Sequence, residues 1–257
     1  LCDVAMGSEM AEVLAIELSS FQLHDMPSVD PVVGVVTNLA PDHLDRYPSI
    51  ADYYGDKMRM FGRARASSLW VTNADNAASE ELIEARGRRR RFSVVGQADG
   101  WFDRNAGLLR VGEVELLERS ALPLLGDHNV ANALAAALAV HALGVPTDLI
   151  GKGLRSVVAL KHRLEPVGSV NGVLWINDSK ATNLSSTGVA VAAMDRPFVL
   201  LLGGRHKGEP YGRLADHLGQ CRAVIGYGEA RPLIVRDLGD EVRVIGATTF
   251  DEAMAQA

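Results

Sequence analysis

The chain has 257 residues, of which 47% are hydrophobic and 23% are charged, a balance typical of folded globular proteins with one large or two ordinary domains. The formal net charge of -6 argues against a nucleic acid or an anionic membrane as a partner. The two cysteines, Cys2 and Cys221, lie far apart in the sequence, which argues against a disulfide framework and a cysteine-based zinc site and suits a reducing cytoplasm. No apolar run approaches the roughly 20 residues that a membrane helix needs.

The two ends of the sequence do not look like natural termini. The first residue is Leu1 rather than methionine, and Ala257 lies inside a helical pattern. We therefore interpret the chain as an internal piece of a longer protein, in which missing targeting signals at either end prove little.

Two apolar runs near the start predict strands. Residues 13–18 predict a buried strand that contains Glu17, and a buried carboxylate is costly unless it is paired or binds a metal. The alternative is a glutamate that faces solvent from an edge position. Residues 31–37 predict a second strand, followed by a loop in which His43 lies between two acids. An imidazole oriented by a carboxylate is a common metal-site arrangement, although a loop histidine is more often only solvated.

The next pattern, at 49–62, predicts a helix with Ser49 as its N-cap. Lys57 falls on the apolar stripe of this helix, together with Ile50 and Phe61. Such a lysine can reach solvent along its methylene groups, pair with an acid, or be carbamylated by carbon dioxide to give an anionic oxygen ligand for a hard cation. The sequence by itself favours the first of these options.

Further strands and helices follow up to residue 146. Residues 67–72 predict a strand and 76–86 a helix, and the arginine run 88–91 predicts a solvated strand edge. Alternating residues from 100 to 117 predict a small antiparallel patch. A long helix opens near Gly126 and ends at Gly144, with Pro146 beyond it. Asn129 and Asn132 lie on one face of its first turn, where they could cap the helix or meet a ligand such as adenine.

Residues 161–165 predict a domain boundary, because strands and helices alternate regularly beyond them. This alternation indicates a parallel, doubly wound sheet, with the apolar run 173–176 as a buried strand. That run ends in the polar cluster 177–183, and a second strand ends in the glycines and cations of 203–208. Open sheets of this kind bind ligands at the carboxyl ends of their strands, although the polar cluster could also be an ordinary loop.

Several of these stretches together resemble the Mur ligases. The clearest are Glu-Leu-Ser-Ser-Phe-Gln-Leu at 17–23 and Asn-Asp-Ser-Lys-Ala-Thr-Asn at 177–183, and the others lie in the expected order at 38–47, 57, 126–132, 162–163 and 203–208. The resemblance implies an α/β fold with part of a P-loop-type central ATPase domain at 1–159. It also implies most of a Rossmann-like C-terminal domain at 160–257.

The resemblance is strongest to the branch of the family that joins D-glutamate to UDP-N-acetylmuramoyl-L-alanine. It implies a cytoplasmic, monomeric, ATP-dependent amide ligase of peptidoglycan precursor synthesis, with an acyl-phosphate intermediate. Phosphoryl transfer of this kind depends on positioning and charge neutralisation, commonly by magnesium and cationic side chains.

The resemblance also implies roles for individual residues. Magnesium would be held by Glu17 at one site and by His43 and carbamylated Lys57 at another, since hard oxygen ligands suit this ion. Asn129 and Asn132 would bind the adenine, and Arg163 and Asp178 would bind the phosphate and ribose of the nucleotide. Thr182 and Lys207 would bind D-glutamate, with Lys180 near the reaction centre. Ser19 would contact the nucleotide-sugar substrate.

Two features of the family pattern are missing from the sequence. These are the glycine-rich phosphate loop, expected upstream of Leu1, and a C-terminal segment with further glutamate contacts, expected after Ala257. We therefore expect the fragment alone to be inactive. Rival interpretations are another amino-acid ligase of the superfamily, a nucleotide-binding module without catalysis, and, less favoured, a dehydrogenase.

Overall fold

The computed structural model describes residues 11–41, 46–82 and 85–257. Contacts divide the chain into two compact units, residues 1–92 and 93–257. Both units combine helices with β-strands, and parallel strand pairs occur in each, so the predicted α/β class is confirmed. Within the described ranges, no helix is both long enough and apolar enough to span a membrane.

The first unit is built on three parallel strands in the order β1, β2, β3. The central strand is almost completely buried, with Trp70 2% and Val71 0% exposed. The predicted strands at 31–37 and 67–72 and the helix at 49–62 are confirmed, and Ser49 accepts the Asp52 amide as N-cap at 3.1 Å. The elements are β1 (Val33–Val36), β2 (Leu69–Asn73), β3 (Arg88–Ser93), α1 (Ser20–Asp25), α2 (Ile50–Met58) with a 3₁₀ turn (Arg59–Phe61), and α3 (Ala77–Leu82).

The predicted strand at 13–18 is wrong. This segment is irregular, and its large apolar side chains are exposed, Val13 by 62% and Ile16 by 50%. A strand needs a neighbour that satisfies its backbone groups, and no described strand pairs with this segment. Glu17 is exposed as well, so the prediction of a buried carboxylate is wrong; the residue faces solvent, but from an irregular segment rather than from the edge of a strand.

The arginine run forms the first four residues of β3. Arg88 and Arg91 are exposed, as predicted, whereas Arg89 is half-buried. Its guanidinium donates to Thr72 Oγ1 at 2.9 Å and to Glu80 Oε1 at 2.7 Å. The arginine chain can therefore line the sheet because its charged end is paired.

The second unit begins with an antiparallel meander, which confirms the small patch predicted between 100 and 117. Its strands pack under a long helix, where Leu134 and Leu138 are fully buried. The helix ends as predicted, since Gly144 has a φ of 86° and its amide donates to His141 O at 3.0 Å. The elements are β4 (Gly100–Asp103), β5 (Leu108–Val111), β6 (Val114–Glu118), a 3₁₀ turn (Arg119–Ala121), α4 (Asp127–Ala142) and α5 (Thr147–Arg155).

The second unit also contains a parallel three-stranded sheet in the order β11, β10, β9, as the alternating pattern predicts. The central strand and the helices beside it form a core in which Val224, Ile225 and Ile234 are fully buried. The elements are α6 (Leu184–Ala192), β9 (Phe198–Gly203), a 3₁₀ helix (Tyr211–His217), β10 (Cys221–Tyr227), α7 (Arg231–Leu238), β11 (Val244–Gly246) and α8 (Phe250–Gln256).

The apolar run 173–176 does form a strand, but the prediction that it is a buried member of the parallel sheet is wrong. It lies in β8 (Val173–Asn177), which pairs antiparallel with β7 (Glu165–Val170) in a hairpin. Val173 is 54% exposed. The turn consists of Asn171 and Gly172, both with positive φ, and Asn-Gly is the strongest short-range hairpin signal. This signal was present in the sequence and outweighs the apolar run.

Candidate functional site

A cavity of about 260 Å³ lies at the carboxyl end of β9 in the second unit. Its wall combines the loop that enters α6 with the loop that leaves β9, as expected for an open parallel sheet. We call it the β9 pocket, and its polar and aromatic lining includes Ser179, Thr182, Asn183, Arg205, Lys207 and Tyr211.

Local sequence signals hold the two loops of the β9 pocket. Asn183 is the N-cap of α6, and its side-chain oxygen accepts the Ser186 amide at 2.7 Å. Gly203 lies beside Tyr227 of the neighbouring strand, so that a Cβ at position 203 would lie 2.7 Å from the tyrosine ring. Gly204 has a φ of 104°, a backbone conformation that only glycine adopts readily.

The β9 pocket carries positive charge and hydroxyl groups, which suit an anionic ligand. The resemblance pairs Thr182 with Lys207, and both line this cavity. Lys207 is exposed, and its ammonium makes no ion pair to any residue in the described ranges. Arg205 also lines the cavity, and its Nε lies 3.6 Å from Glu229 Oε2.

Two aromatic residues of the β9 pocket were not predicted from the sequence. His206 and Tyr211 place their ring centroids 5.6 Å apart. Burial, together with the nearby Asp237 carboxylate, raises the pKa of the Tyr211 hydroxyl. Tyr211 therefore stays neutral near pH 7 and offers a hydroxyl and an apolar ring face rather than a charge. A lone histidine after two glycines gives no clear signal in a single sequence.

Beside the β9 pocket, the loops 160–165 and 177–180 are joined by hydrogen bonds. Asp178 Oδ1 accepts the Leu164 amide at 3.0 Å, and the Lys180 amide donates to His162 O at 3.0 Å. These bonds bring the neighbourhood of Arg163 next to that of Asp178 and Lys180, three residues that the resemblance assigns to one nucleotide and reaction site. The side chains of Arg163 and Lys180 are exposed.

The first turn of α4 holds the two predicted adenine contacts. Asn129 donates to Leu125 O at 2.8 Å, and the side chains of Asn129 and Asn132 lie 3.5 Å apart, so they share one face as predicted. This bond is not the N-cap interaction of the capping alternative, since the N-cap residue is Gly126 and the helix has no side-chain cap. Asn132 is exposed. Burial lowers the pKa of the adjacent His128, although the charges of Asp178 and Asp127 act to raise it.

In the first unit, Ser19 caps helix α1. Its hydroxyl accepts the Gln22 amide at 3.2 Å, and Gln22 Oε1 accepts the Ser19 amide at 2.9 Å. This reciprocal capping box, Ser-x-x-Gln, was a readable sequence signal that the prediction of a substrate contact overlooked. Ser19 remains exposed at the start of the helix.

The carboxylate of Asp56 organises the surroundings of Lys57. Side-chain distances to Asp56 oxygens are 2.9 Å from His24 Nδ1, 2.8 Å from Arg59 Nε and 3.2 Å from the Tyr47 hydroxyl. Burial favours a higher pKa for Asp56, but the hydrogen bonds from His24, Arg59 and Tyr47 outweigh it and lower the pKa below its ordinary value. Apart from the i,i+3 spacing of Asp56 and Arg59, the sequence carried no local signal for this cluster, which we call the Asp56 cluster.

The described residues only partly fit a magnesium site. Lys57 is half-buried, with Nζ 5.0 Å from the Tyr53 ring centroid, and Glu17 is exposed. His43 lies outside the described residues. Among the described side chains, no group of three or more histidine, cysteine, aspartate or glutamate residues is placed to hold a metal ion. A carboxylate, an imidazole and a lysine carbamate are nevertheless donor types that a hard cation accepts.

Comparison with known proteins settles the family. Residues 4–140 match the family profile described as the Mur ligase middle domain, and residues 162–257 match the profile described as the Mur ligase, glutamate ligase domain. The chain belongs to the Mur ligase family. The resemblance seen in the sequence motifs is thereby confirmed.

Similar curated proteins carry the name UDP-N-acetylmuramoylalanine–D-glutamate ligase. The one from Salinibacter ruber is 35% identical over 99% of this chain and 58% of its own length. The one from Rubrobacter xylanophilus is 39% identical over 86% of this chain and 50% of its own length. The chain thus spans 58% and 50% of the lengths of these two relatives.

Solved Mur ligase structures share the fold. MurF from Acinetobacter baumannii superposes with a TM-score of 0.69 at 19% identity, covering 91% of this chain and 55% of that structure. The MurC enzyme of Thermotoga maritima, a UDP-N-acetylmuramate-alanine ligase, superposes with a TM-score of 0.68 at 17% identity. The match covers 90% of this chain and 53% of that structure. MurF of the same organism, solved in complex with ADP, superposes with a TM-score of 0.61 at 15% identity. The match covers 93% of this chain and 66% of that structure. At these identities the likeness concerns the fold.

Proposed function

We propose that the protein to which this Mur ligase chain belongs is an ATP-dependent ligase of peptidoglycan precursor synthesis, acting as a monomer in the cytoplasm. It would join D-glutamate to UDP-N-acetylmuramoyl-L-alanine, which is the reaction in the names of the curated relatives. The observation that carries the proposal is the β9 pocket, where Thr182 and Lys207 lie together in a cavity suited to a small anionic acceptor.

The proposed domains follow the two family matches. A central domain at 1–159 corresponds to the match at 4–140, and a C-terminal domain at 160–257 corresponds to the match at 162–257. In this division the nucleotide contacts of α4 belong to the central domain, and the β9 pocket belongs to the C-terminal domain. Because the chain spans only part of its relatives' length, we assign the activity to the whole protein and expect none from the fragment alone.

The proposed reaction has two steps. A carboxylate oxygen of the alanyl group attacks the γ-phosphorus of ATP, so that ADP leaves and an acyl phosphate forms. The amine of D-glutamate then attacks the acyl carbon, loses a proton, and expels inorganic phosphate as the amide forms. The β9 pocket contributes by holding the acceptor, since Lys207 can pair with a carboxylate and the Thr182 hydroxyl can donate to one.

The nucleotide contacts are proposals of the same kind. Arg163 would neutralise phosphate charge, Asp178 would meet the ribose, and Lys180 would lie near the reaction centre, in agreement with the closeness of their two loops. Asn129 and Asn132 would meet the adenine, for which Asn132 remains available on the exposed face of α4.

The remaining proposed contacts lie in the first unit. One magnesium would be held by Glu17, where it would neutralise phosphate charge, and a second would be held by His43 and carbamylated Lys57 near the acceptor carboxylate. Ser19 would touch the nucleotide-sugar substrate while capping α1.

The test is phosphate release by the full-length protein. The protein is incubated with ATP, magnesium and UDP-N-acetylmuramoyl-L-alanine, and candidate amino acids are added one at a time. We expect release that depends on D-glutamate and not on L-glutamate. Release with another amino acid would reassign the acceptor, and no release with any acceptor from folded, ATP-binding protein would favour a non-catalytic nucleotide-binding module.

A further inference from the structure

An unusual backbone conformation brackets Arg163. His162 has a φ of 66° and Leu164 a φ of 44°, both in the left-handed region that L-residues rarely adopt. For a branched side chain such as that of Leu164 the conformation is strained, and such strain persists only where the surroundings impose it. Strained residues of this kind cluster at functional sites, so what imposes the strain is informative.

Hydrogen bonds to the backbone of this segment, two of them from its amides to carboxylate side chains, impose the conformation from two directions. Within the segment, the His162 amide donates to Glu165 Oε2 at 2.8 Å. From the facing loop, Asp178 Oδ1 accepts the Leu164 amide at 3.0 Å and the Lys180 amide donates to His162 O at 3.0 Å. The backbone on each side of Arg163 is therefore fixed. The bond from the Lys180 amide also fixes the backbone at Lys180.

Asn177 fixes the side chain of His162. Its side-chain oxygen accepts the Ser179 amide at 3.1 Å, which leaves its Nδ2 to donate to His162 Nδ1 at 2.8 Å. The same Nδ2 lies 3.5 Å from Glu165 Oε2. His162 Nδ1 thus faces the Asn177 amide group, and it also lies 3.9 Å from Glu165 Oε2. Asn177 and Glu165 together clamp one face of the segment.

The side chain of Arg163 has no such support. It is exposed, and its guanidinium makes no hydrogen bond or ion pair to another residue in the described part of the chain. The backbone of the segment therefore sets the direction of its Cα–Cβ bond and so the space that the guanidinium can reach. Leu164, only 7% exposed, anchors the segment to the core but cannot by itself select the direction of its neighbour.

We propose that Glu165 and Asn177 are positioning residues that hold the backbone of residues 162–164 and thereby aim Arg163, with Lys180, at the phosphates of the nucleotide. This rests on the proposed function, in which Arg163 meets ATP. Neither positioning residue needs to touch ATP, because each acts through the backbone or the His162 ring. Their loss weakens binding of the phosphates and leaves the β9 pocket intact.

The experiment compares Glu165→Ala with Glu165→Gln in the full-length protein. Glutamine keeps a side-chain oxygen for the His162 amide, whereas alanine removes it. We expect alanine to raise KM for ATP about tenfold, the effect of losing about one charge-assisted contact, with KM for D-glutamate changed less than about twofold. Glutamine restores KM for ATP to within about threefold of the parent. Asp148→Ala, which removes a surface carboxylate that pairs with Lys152 on α5, serves as the control with unchanged kinetics.

A double-mutant cycle with Arg163→Ala tests whether Glu165 acts through the arginine. In that background Glu165→Ala is expected to change KM for ATP less than about twofold further. The proposal would be overturned if the two substitutions raised KM for ATP by independent factors that multiply in the double variant. It would also be overturned if Glu165→Gln raised KM for ATP as much as Glu165→Ala, or if Glu165→Ala had the kinetics of the parent.

Two safeguards keep the outcome interpretable. If Glu165→Ala does not fold, judged by its melting temperature, Asn177→Ala takes its place in the same cycle with the same expected result. If the parent shows no acceptor-dependent phosphate release, the proposed function is wrong. The double-mutant cycle is then carried out with the ATP dissociation constant, measured by equilibrium binding, in place of KM. If the parent is active and the two substitutions act independently on KM for ATP, the positioning role is wrong while the proposed function stands.

Discussion

Asp56→Ala should loosen the first unit around Lys57. The carboxylate is 12% exposed in its side chain, whereas His24 is 58% and Arg59 is 44% exposed. A hydrogen bond to a charged group contributes about 1.5–3 kcal/mol. The exposed partners can return to water, so the contributions do not add, and we expect a total loss of about 2–3 kcal/mol.

The assay is chemical unfolding together with hydrogen exchange measured on peptides. Asp56→Ala should lower the free energy of unfolding and speed exchange across residues 46–58, while exchange in α4 stays unchanged. Asp56→Asn keeps one acceptor oxygen and should lose about half as much. Asp52→Ala, which removes an exposed first-turn carboxylate from the same helix, should cost less than about 1 kcal/mol.

The pH dependence of the Asp56 effect follows from the sign of its pKa shift. Because the folded pKa lies below the unfolded value, the contribution to stability is fully present above the unfolded pKa of about 3.9. It is lost as the pH falls through the folded pKa. The difference between parent and Asp56→Ala should therefore be constant near pH 7 and shrink below about pH 4. A difference that grew on acidification, or none at pH 7, would refute the reasoning.

The other predictions concern the β9 pocket. Gly203→Ala places a Cβ 2.7 Å from the Tyr227 ring and should cost about 1–3 kcal/mol of stability through overpacking, measured by denaturant unfolding; an unchanged midpoint would contradict this packing. Lys207→Ala should raise KM for D-glutamate by about tenfold or more with KM for ATP nearly unchanged, because one charge-assisted contact is lost. Lys152→Ala, on the surface of α5, is its control, and an equal change in both KM values would count against an acceptor role.

Local signals in the sequence predicted much of the fold. The N-cap of α2 at Ser49, the C-terminal glycine of α4 at Gly144 and the parallel strands β9 and β10 all follow from patterns within a few residues. The Mur ligase motifs added what local patterns cannot provide, namely that Thr182 and Lys207 belong to one site. The cavity that they share agrees with that expectation.

The features that were predicted wrongly or missed mostly depend on contacts between residues that are distant in the chain. The apolar run 13–18 has the composition of a strand, but it has no described neighbour to pair with. The Asp56 cluster joins His24 to a residue 32 positions away, and the bond from Leu164 to Asp178 spans 14 positions. Such contacts leave no periodic trace in a single sequence. The Asn171 hairpin turn was a missed local signal of a different kind.

The most direct test of the account is transfer of oxygen-18 by the full-length protein. UDP-N-acetylmuramoyl-L-alanine labelled in its carboxylate is incubated with ATP, magnesium and D-glutamate, and the product and the released phosphate are analysed by mass spectrometry. We expect a D-glutamyl amide product and one labelled oxygen in each phosphate, because the carboxylate oxygen that attacks ATP leaves with the phosphorus. Unlabelled phosphate, or phosphate released without the amide, would contradict it.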